Sequence, residues 1–150
     1  MWLLLRHDAE MQKLRKDPGL IPSAVEEMLR YEGPIQLNNR RLTAPVDARR
    51  QAARRSGTFI TIGIGAANRD PAQFADADRF DVGRKPNRHV AFGHGDHACA
   101  GMNVARMEAR IAFDALLKRV SRIAAAGVPE RDRRIRFRGF RKLPVSVKID

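Results

Sequence analysis

A single cysteine stands in this chain of 150 residues, so no internal disulfide can brace the fold. Its stability has to come from packing, hydrogen bonds and ion pairs. The cysteine lies in Phe92-Gly93-His94-Gly95-Asp96-His97-Ala98-Cys99-Ala100-Gly101, with three of the glycines and two of the four histidines. Directly after this stretch the sequence turns helical. Amides of a first helical turn point outward and carry partial positive charge, so they favour a thiolate over a thiol. A thiolate held there can serve as a nucleophile or a metal ligand. The glycines leave the backbone bare where something flat and bulky can approach.

Three readings follow from the residues. The plainest is a buried cysteine in a glycine-rich turn. The second is zinc, for which His89, His94, His97 and Cys99 offer four donors in a short span. Structural zinc sites draw ligand pairs from two separate segments, and this spacing does not. The third is a cofactor iron held by one thiolate. Here the pattern Phe-x-x-Gly-x-His-x-Cys-x-Gly, running into Asn103-Val104-Ala105-Arg106-Met107-Glu108, resembles the haem-binding loop of the cytochrome P450 family, especially its soluble bacterial members.

Composition sets wider bounds. A hydrophobic content of 43% fits a globular domain with a modest core, and one cysteine fits a reducing, cytoplasmic setting. The opening Met1-Trp2-Leu3-Leu4-Leu5 meets Arg6 at once, too short a run for a membrane span or signal core, and reads as the cut end of a helix. A net charge of +12 raises nucleic-acid binding. However, the charges are spread from Arg6 to Lys148, no nucleic-acid motif accompanies them, and one Tyr and one Trp make no stacking platform. An excised piece lacking its acidic counterpart is the more ordinary source. No membrane or nucleic-acid partner is expected.

Taken in order, residues 7–16 predict a short helix ended by Asp17-Pro18-Gly19. Ser23-Ala24-Val25-Glu26 reads as a capping box opening a second helix. That helix places Glu27 and Arg30 on one face, by itself a solvated pair of small worth. Gly33-Pro34 breaks it, Ile35 to Arg40 is strand-like, and Thr58 to Ile62 predicts a buried strand. A short helix is expected from Gly63 to Arg69. The clearest helix runs from Met102 to Val120, with Arg106, Arg110, Asp114 and Lys118 as its polar stripe and Ile111, Ala112, Ala115, Leu116 and Val120 as its apolar side. Residues 143–147 are strand-like. No repeat or second domain is visible.

The resemblance extends over most of the chain. Glu27-Met28-Leu29-Arg30 matches the family's Glu-x-x-Arg, Ala67-Asn68-Arg69-Asp70-Pro71 its Ala-Asn-Arg-Asp-Pro, and Gly139-Phe140-Arg141-Lys142-Leu143-Pro144-Val145 its closing segment. It implies a mainly α fold with small β-sheets, residues 1–150 being the C-terminal portion of one P450 domain whose N-terminal part and central distal helix are absent. It further implies haem b (iron protoporphyrin IX), with Cys99 as the proximal iron ligand, Phe92 beside the haem, Gly101 at the loop's end, and His97 and Arg40 on the propionates, Arg41 being the alternative. Glu27, Arg30 and Arg79 would be a buried structural triad, although Ala77 stands where the family usually has proline. The activity implied is monooxygenation of a small hydrophobic substrate, fed by a ferredoxin- or flavodoxin-type partner steered by Arg106 and Arg110. No catalytic residue of the distal side falls within the chain. The competing expectations are a truncated, non-catalytic remnant with weak haem binding and, further off, a basic zinc- or nucleic-acid-binding module. Asp47 to Ser56 departs from the family's hairpin and turns, its Ala- and Arg-rich run suggesting a local frameshift and poor packing.

Overall fold

The computed structural model describes residues 1–47 and 55–149. Two helices open the chain, α1 (Trp2–Arg6) and α2 (Asp8–Lys16). Asp8 and Glu10 lie in the first turn of α2 and Lys13, Arg15 and Lys16 in its last, each sign at the helix end it stabilises. Asp17 ends the helix and accepts a hydrogen bond from the Gly19 amide at 2.9 Å, turning the chain through a 3₁₀ turn, Pro18–Leu20.

This turn runs straight into α3 (Ile21–Glu32), which corrects the expected start. Ser23 is already inside the helix, and its hydroxyl donates to the Leu20 carbonyl at 3.0 Å instead of capping. Pro22 sits in the first turn, where a missing N–H costs nothing. Glu26 is thereby free for other partners.

Strand β1 (Leu37–Arg41) pairs antiparallel with β2 (Phe59–Gly63), with Asn39 opposite Thr61. β2 is not the buried strand expected, since Phe59 is 73% exposed and Ile62 40%. A short α4 (Ile64–Ala67) follows, then irregular chain to α5 (Met102–Arg119). Residues 120–125, an alanine-containing run that reads as more helix, form β3 (Val120–Ala125) against β6 (Val145–Ile149). Cross-strand pairing there overrides local propensity. β4 (Glu130–Arg131) and β5 (Phe140–Lys142) make a last two-stranded ribbon. The sequence's departure at 47–56 falls, for residues 48–54, outside the described residues. On its flanks pairing continues past β1, the Leu42 amide donating to the Thr58 carbonyl at 3.0 Å.

The core comprises Leu3, Leu4, Met11, Leu14, Ile21, Ala24, Val25, Phe80 and Val82. It joins α1, α2 and α3 to the turn that ends at Val82. α5 leans on it through Ala109, Phe113 and Leu117; of the expected apolar side Val120 is buried, at 7%, whereas Ile111 is 61% exposed.

Beside this core lies a buried ionic cluster. Arg30 Nε and Nη2 each donate to the Glu27 carboxylate at 2.8 Å. The remaining guanidinium N–H groups go to the carbonyls of Asn68 and Ala77, both at 2.9 Å, and of Arg79 at 3.1 Å. Glu27 also accepts from the Asp81 amide at 3.0 Å and from Asn87 Nδ2 at 3.1 Å. With its hydrogen bonds saturated in this way, a buried pair can offset its desolvation.

The third cation differs from the sequence expectation. Arg84 Nε lies 3.2 Å from the Glu27 carboxylate with its side chain only 11% exposed. Arg79 is 61% exposed and reaches Asp81 only at 3.8 Å, contributing to the cluster through its carbonyl alone. The turn that ends in Phe80 buries the phenylalanine, and the preceding arginine side chain is left facing outward. Arg84→Ala, which strips a cation from a buried carboxylate, is expected to cost about 3 kcal/mol. Arg79→Ala keeps the carbonyl and should stay within about 0.5 kcal/mol of the parent. Urea unfolding of the two variants compares them; equal losses would restore Arg79 to the triad.

Candidate functional site

The cysteine loop is shaped by its own backbone. Gly93 and Gly95 have φ of +76° and +73°, a region in which a side chain would be strained. The Gly93 amide bonds the Val90 carbonyl at 2.9 Å, and a single 3₁₀ turn spans Gly95–His97. The Cys99 amide then donates back to the Phe92 carbonyl at 2.8 Å, closing the loop at its two functional ends. From Cys99 the chain enters α5, the Met102 amide bonding the Cys99 carbonyl at 3.2 Å.

The thiol of Cys99 is exposed and unbridged, which removes the reading of a buried structural cysteine. A Cβ on Gly101 would stand 4.0 Å from the sulfur, so the glycine keeps that flank bare. His97 is exposed at the end of the 3₁₀ turn. Phe92 is half-buried, its ring under the Arg106 guanidinium at 4.8 Å. Arg40 is half-buried in β1 and donates to the neighbouring Asn39 carbonyl at 2.9 Å. Arg41, on the opposite face of the same strand, has its guanidinium 5.7 Å from the Phe59 ring centre.

Sequence reasoning missed the cluster that ties this loop to α3. Glu26 receives Arg106 Nε at 2.8 Å and Nη2 at 2.9 Å, a two-pronged bridge from α5. His89 Nε2 lies 3.0 Å from the same carboxylate, with its side chain 2% exposed. Burial pushes the His89 imidazolium below its ordinary value, against the hydrogen bond and charge of Glu26. For Glu26, burial alone would raise the carboxyl, but the Arg106 and His89 contacts outweigh it and hold the group low. His89 is committed to Glu26, which adds to the spacing as a reason against zinc. Arg106 is tied into an ion pair and is not an open surface charge; Arg110 stays exposed beside it. The signal available was Glu26 adjoining Glu27, since neighbouring helical side chains point in different directions and so serve different partners.

As chemistry, the site offers one soft donor on an exposed, glycine-bared surface at a helix start. Phe92 lies within the loop and His97 is exposed on it, whereas Arg40 sits in β1, where its side-chain hydrogen bond is to the Asn39 carbonyl. Among the described residues no group of three or more His, Cys, Asp or Glu side chains comes together as a metal site. An exposed thiol on a glycine-bared surface is the kind of donor that an iron carried by its own macrocycle would take, since such an iron needs one protein thiolate and a flat approach. No helix among the described residues is long and apolar enough to cross a membrane.

The family model described as Cytochrome P450 matches residues 4–149. The biotin biosynthesis cytochrome P450 of Bacillus subtilis is 43% identical over 146 residues, covering 97% of this chain and 37% of that protein. Cytochrome P450 107B1 of Saccharopolyspora erythraea is 44% identical over 146 residues, covering 95% of this chain and 36% of that protein. Among solved structures, P450BioI in complex with a fatty-acyl carrier protein superposes with a TM-score of 0.93 at 41% identity, covering 98% of this chain and 38% of that one. The chain thus spans little more than a third of the length of these relatives. Its fold is mainly α with small antiparallel sheets, a partial P450 fold, and the chain belongs to the cytochrome P450 family.

Proposed function

We propose that residues 1–150 are the C-terminal, haem-binding portion of a single P450 domain, with Cys99 as the proximal ligand of haem b. The observation that carries this reading is the exposed, sole thiol in a loop closed between Phe92 and Cys99 and delivered to the start of α5. Bound haem would supply the oxygen chemistry of a monooxygenase acting on a small hydrophobic substrate. The chain's own residues do the holding. Cys99 offers the thiolate, and amides of the first turn of α5 offset its charge. Phe92 would lie beside the haem, and Gly101, with no side chain next to the sulfur, would leave room for the macrocycle. His97 and Arg40 would donate to the propionates of a bound haem. Glu27, Arg30 and Arg84 are scaffold, not catalysts.

Since the relatives are nearly three times as long, judged by coverage of 37% and 36%, the 150-residue chain is proposed to bind haem without hydroxylating substrate. An electron-donating partner of ferredoxin or flavodoxin type would approach a basic face. On this chain Arg110 and the exposed Lys85 line one cleft and are better placed for it than Arg106, which Glu26 holds.

Loading the purified chain with haem, reducing it and adding carbon monoxide is expected to give the red-shifted Soret band of thiolate ligation. Cys99→Ala should lose that band. An imidazole-type spectrum in the parent, or an unchanged spectrum in the variant, would sink the assignment. In the loaded chain, the double variant Arg110→Glu with Lys85→Glu should weaken binding of an acidic ferredoxin about tenfold or more at low salt and much less at high salt. Equal affinity at both salt concentrations would remove this face from the interaction.

A further inference from the structure

One histidine links helix α3 to the cysteine loop by a short covalent and hydrogen-bonded path. His89 Nε2 is 3.0 Å from the Glu26 carboxylate, and its Nδ1 is 3.2 Å from the Ala91 amide nitrogen. The Ala91 N–H can only donate, so Nδ1 accepts, the proton sits on Nε2, and the ring is neutral. Phe92 follows Ala91 directly, and its carbonyl holds the Cys99 amide at 2.8 Å. Its ring is also clasped from above by Arg106, the other partner of Glu26.

We propose that Glu26, His89 and Arg106 are positioning residues that form a clamp on the cysteine loop, with the neutral Nε2–H tautomer of His89 as its connecting piece. The clamp fixes Ala91 and Phe92 from α3 and α5 together, and so sets where the Cys99 backbone can lie. The charged groups facing His89 are Glu26 and Glu27 from α3 and Arg106 from α5. Protonation of Nδ1 would set two N–H groups against each other at Ala91. The loop has to release there, next to the residue that holds Cys99. His89 binds its proton less readily folded than unfolded, so the clamp's contribution is complete above the ordinary histidine value of about 6.5 and is lost as pH falls below it.

That this governs a haem ligand rests on the proposed function, but the clamp is testable without haem. In the 15N-labelled, haem-free 150-residue chain, NMR is expected to find His89 as the Nε2–H tautomer, titrating below the ordinary histidine value. Hydrogen exchange at the Ala91 and Cys99 amides, corrected for intrinsic rate, should quicken about tenfold as His89 protonates, the weight of roughly one hydrogen bond. Glu26→Gln, which keeps shape and drops charge, should quicken the same two amides at neutral pH while Ile123 in β3 is unchanged. An Nδ1–H tautomer, Cys99 exchange indifferent to the His89 titration, or a uniform loss of protection in Glu26→Gln would each overturn the clamp. Since no haem is present, failure of this test leaves Cys99 as the proposed ligand. Failure of thiolate ligation in turn leaves the clamp standing.

Discussion

A buried carboxylate, that of Glu27, is the constraint on which the arrangement of the chain depends. Left alone it would be far too costly to bury, so its surroundings are dictated. Arg30 neutralises it from the next turn of the same helix, and that guanidinium then needs acceptors of its own. These are main-chain carbonyls of Asn68, Ala77 and Arg79, which lie far from α3 in sequence. Satisfying one charge therefore pins two distant irregular segments that have no ladder to hold them. The saturation is what distinguishes this pair from a surface bridge worth a few tenths of a kcal/mol.

The helix carrying Glu27 carries a second acid beside it, and the two acids serve different parts of the molecule. Glu27 gathers the turn around Asp81, together with Arg84 and Asn87. Glu26 gathers His89 from the next few residues and Arg106 from α5. Asn68 adds a further tie, its Oδ1 accepting from the Val90 amide at 2.8 Å while its carbonyl accepts from Arg30. The approach to the cysteine is held almost residue by residue, at Asn87, His89 and Val90, before the glycines of the loop begin.

Much of this was legible in the sequence, and the failures have physical causes. Helix α2, the α3 core stretch, α4 and α5 follow from periodicity and stop signals. The loop follows from its glycines, its sole cysteine and its place before a helix. The strand β3 was hidden because Ser121 to Ala125 suits either state, and only its partner β6 decides. The start of α3 was misread because a serine three residues before a glutamate suits a capping box, yet the 3₁₀ turn before it already supplies the helix entry. Arg79 and Arg84 could not be told apart by composition. Which of them reaches Glu27 depends on the turn at Phe80, a backbone event with no local signature. Arg106 looked like part of a solvated stripe because its partner is 80 residues away in sequence.

The packing of the chain separates its stability from its candidate site. The apolar core belongs to α1, α2, α3 and the turn at Phe80 and Val82, whereas α5 holds no fully buried residue. Val104, Met107 and Ile111 recur along α5 at helical spacing and remain more than half exposed, at 53%, 54% and 61%. The helix that follows the thiol is thus held by Ala109, Phe113 and Leu117 on one side and by the Arg106–Glu26 bridge near its start. Polar contacts are directional where apolar burial is not, so they fix position well while contributing little to bulk stability. The loop can therefore be placed closely and still open at lower cost than the core unfolds. Hydrogen bonds to a buried helix thus fix the loop's place while the cysteine itself stays exposed.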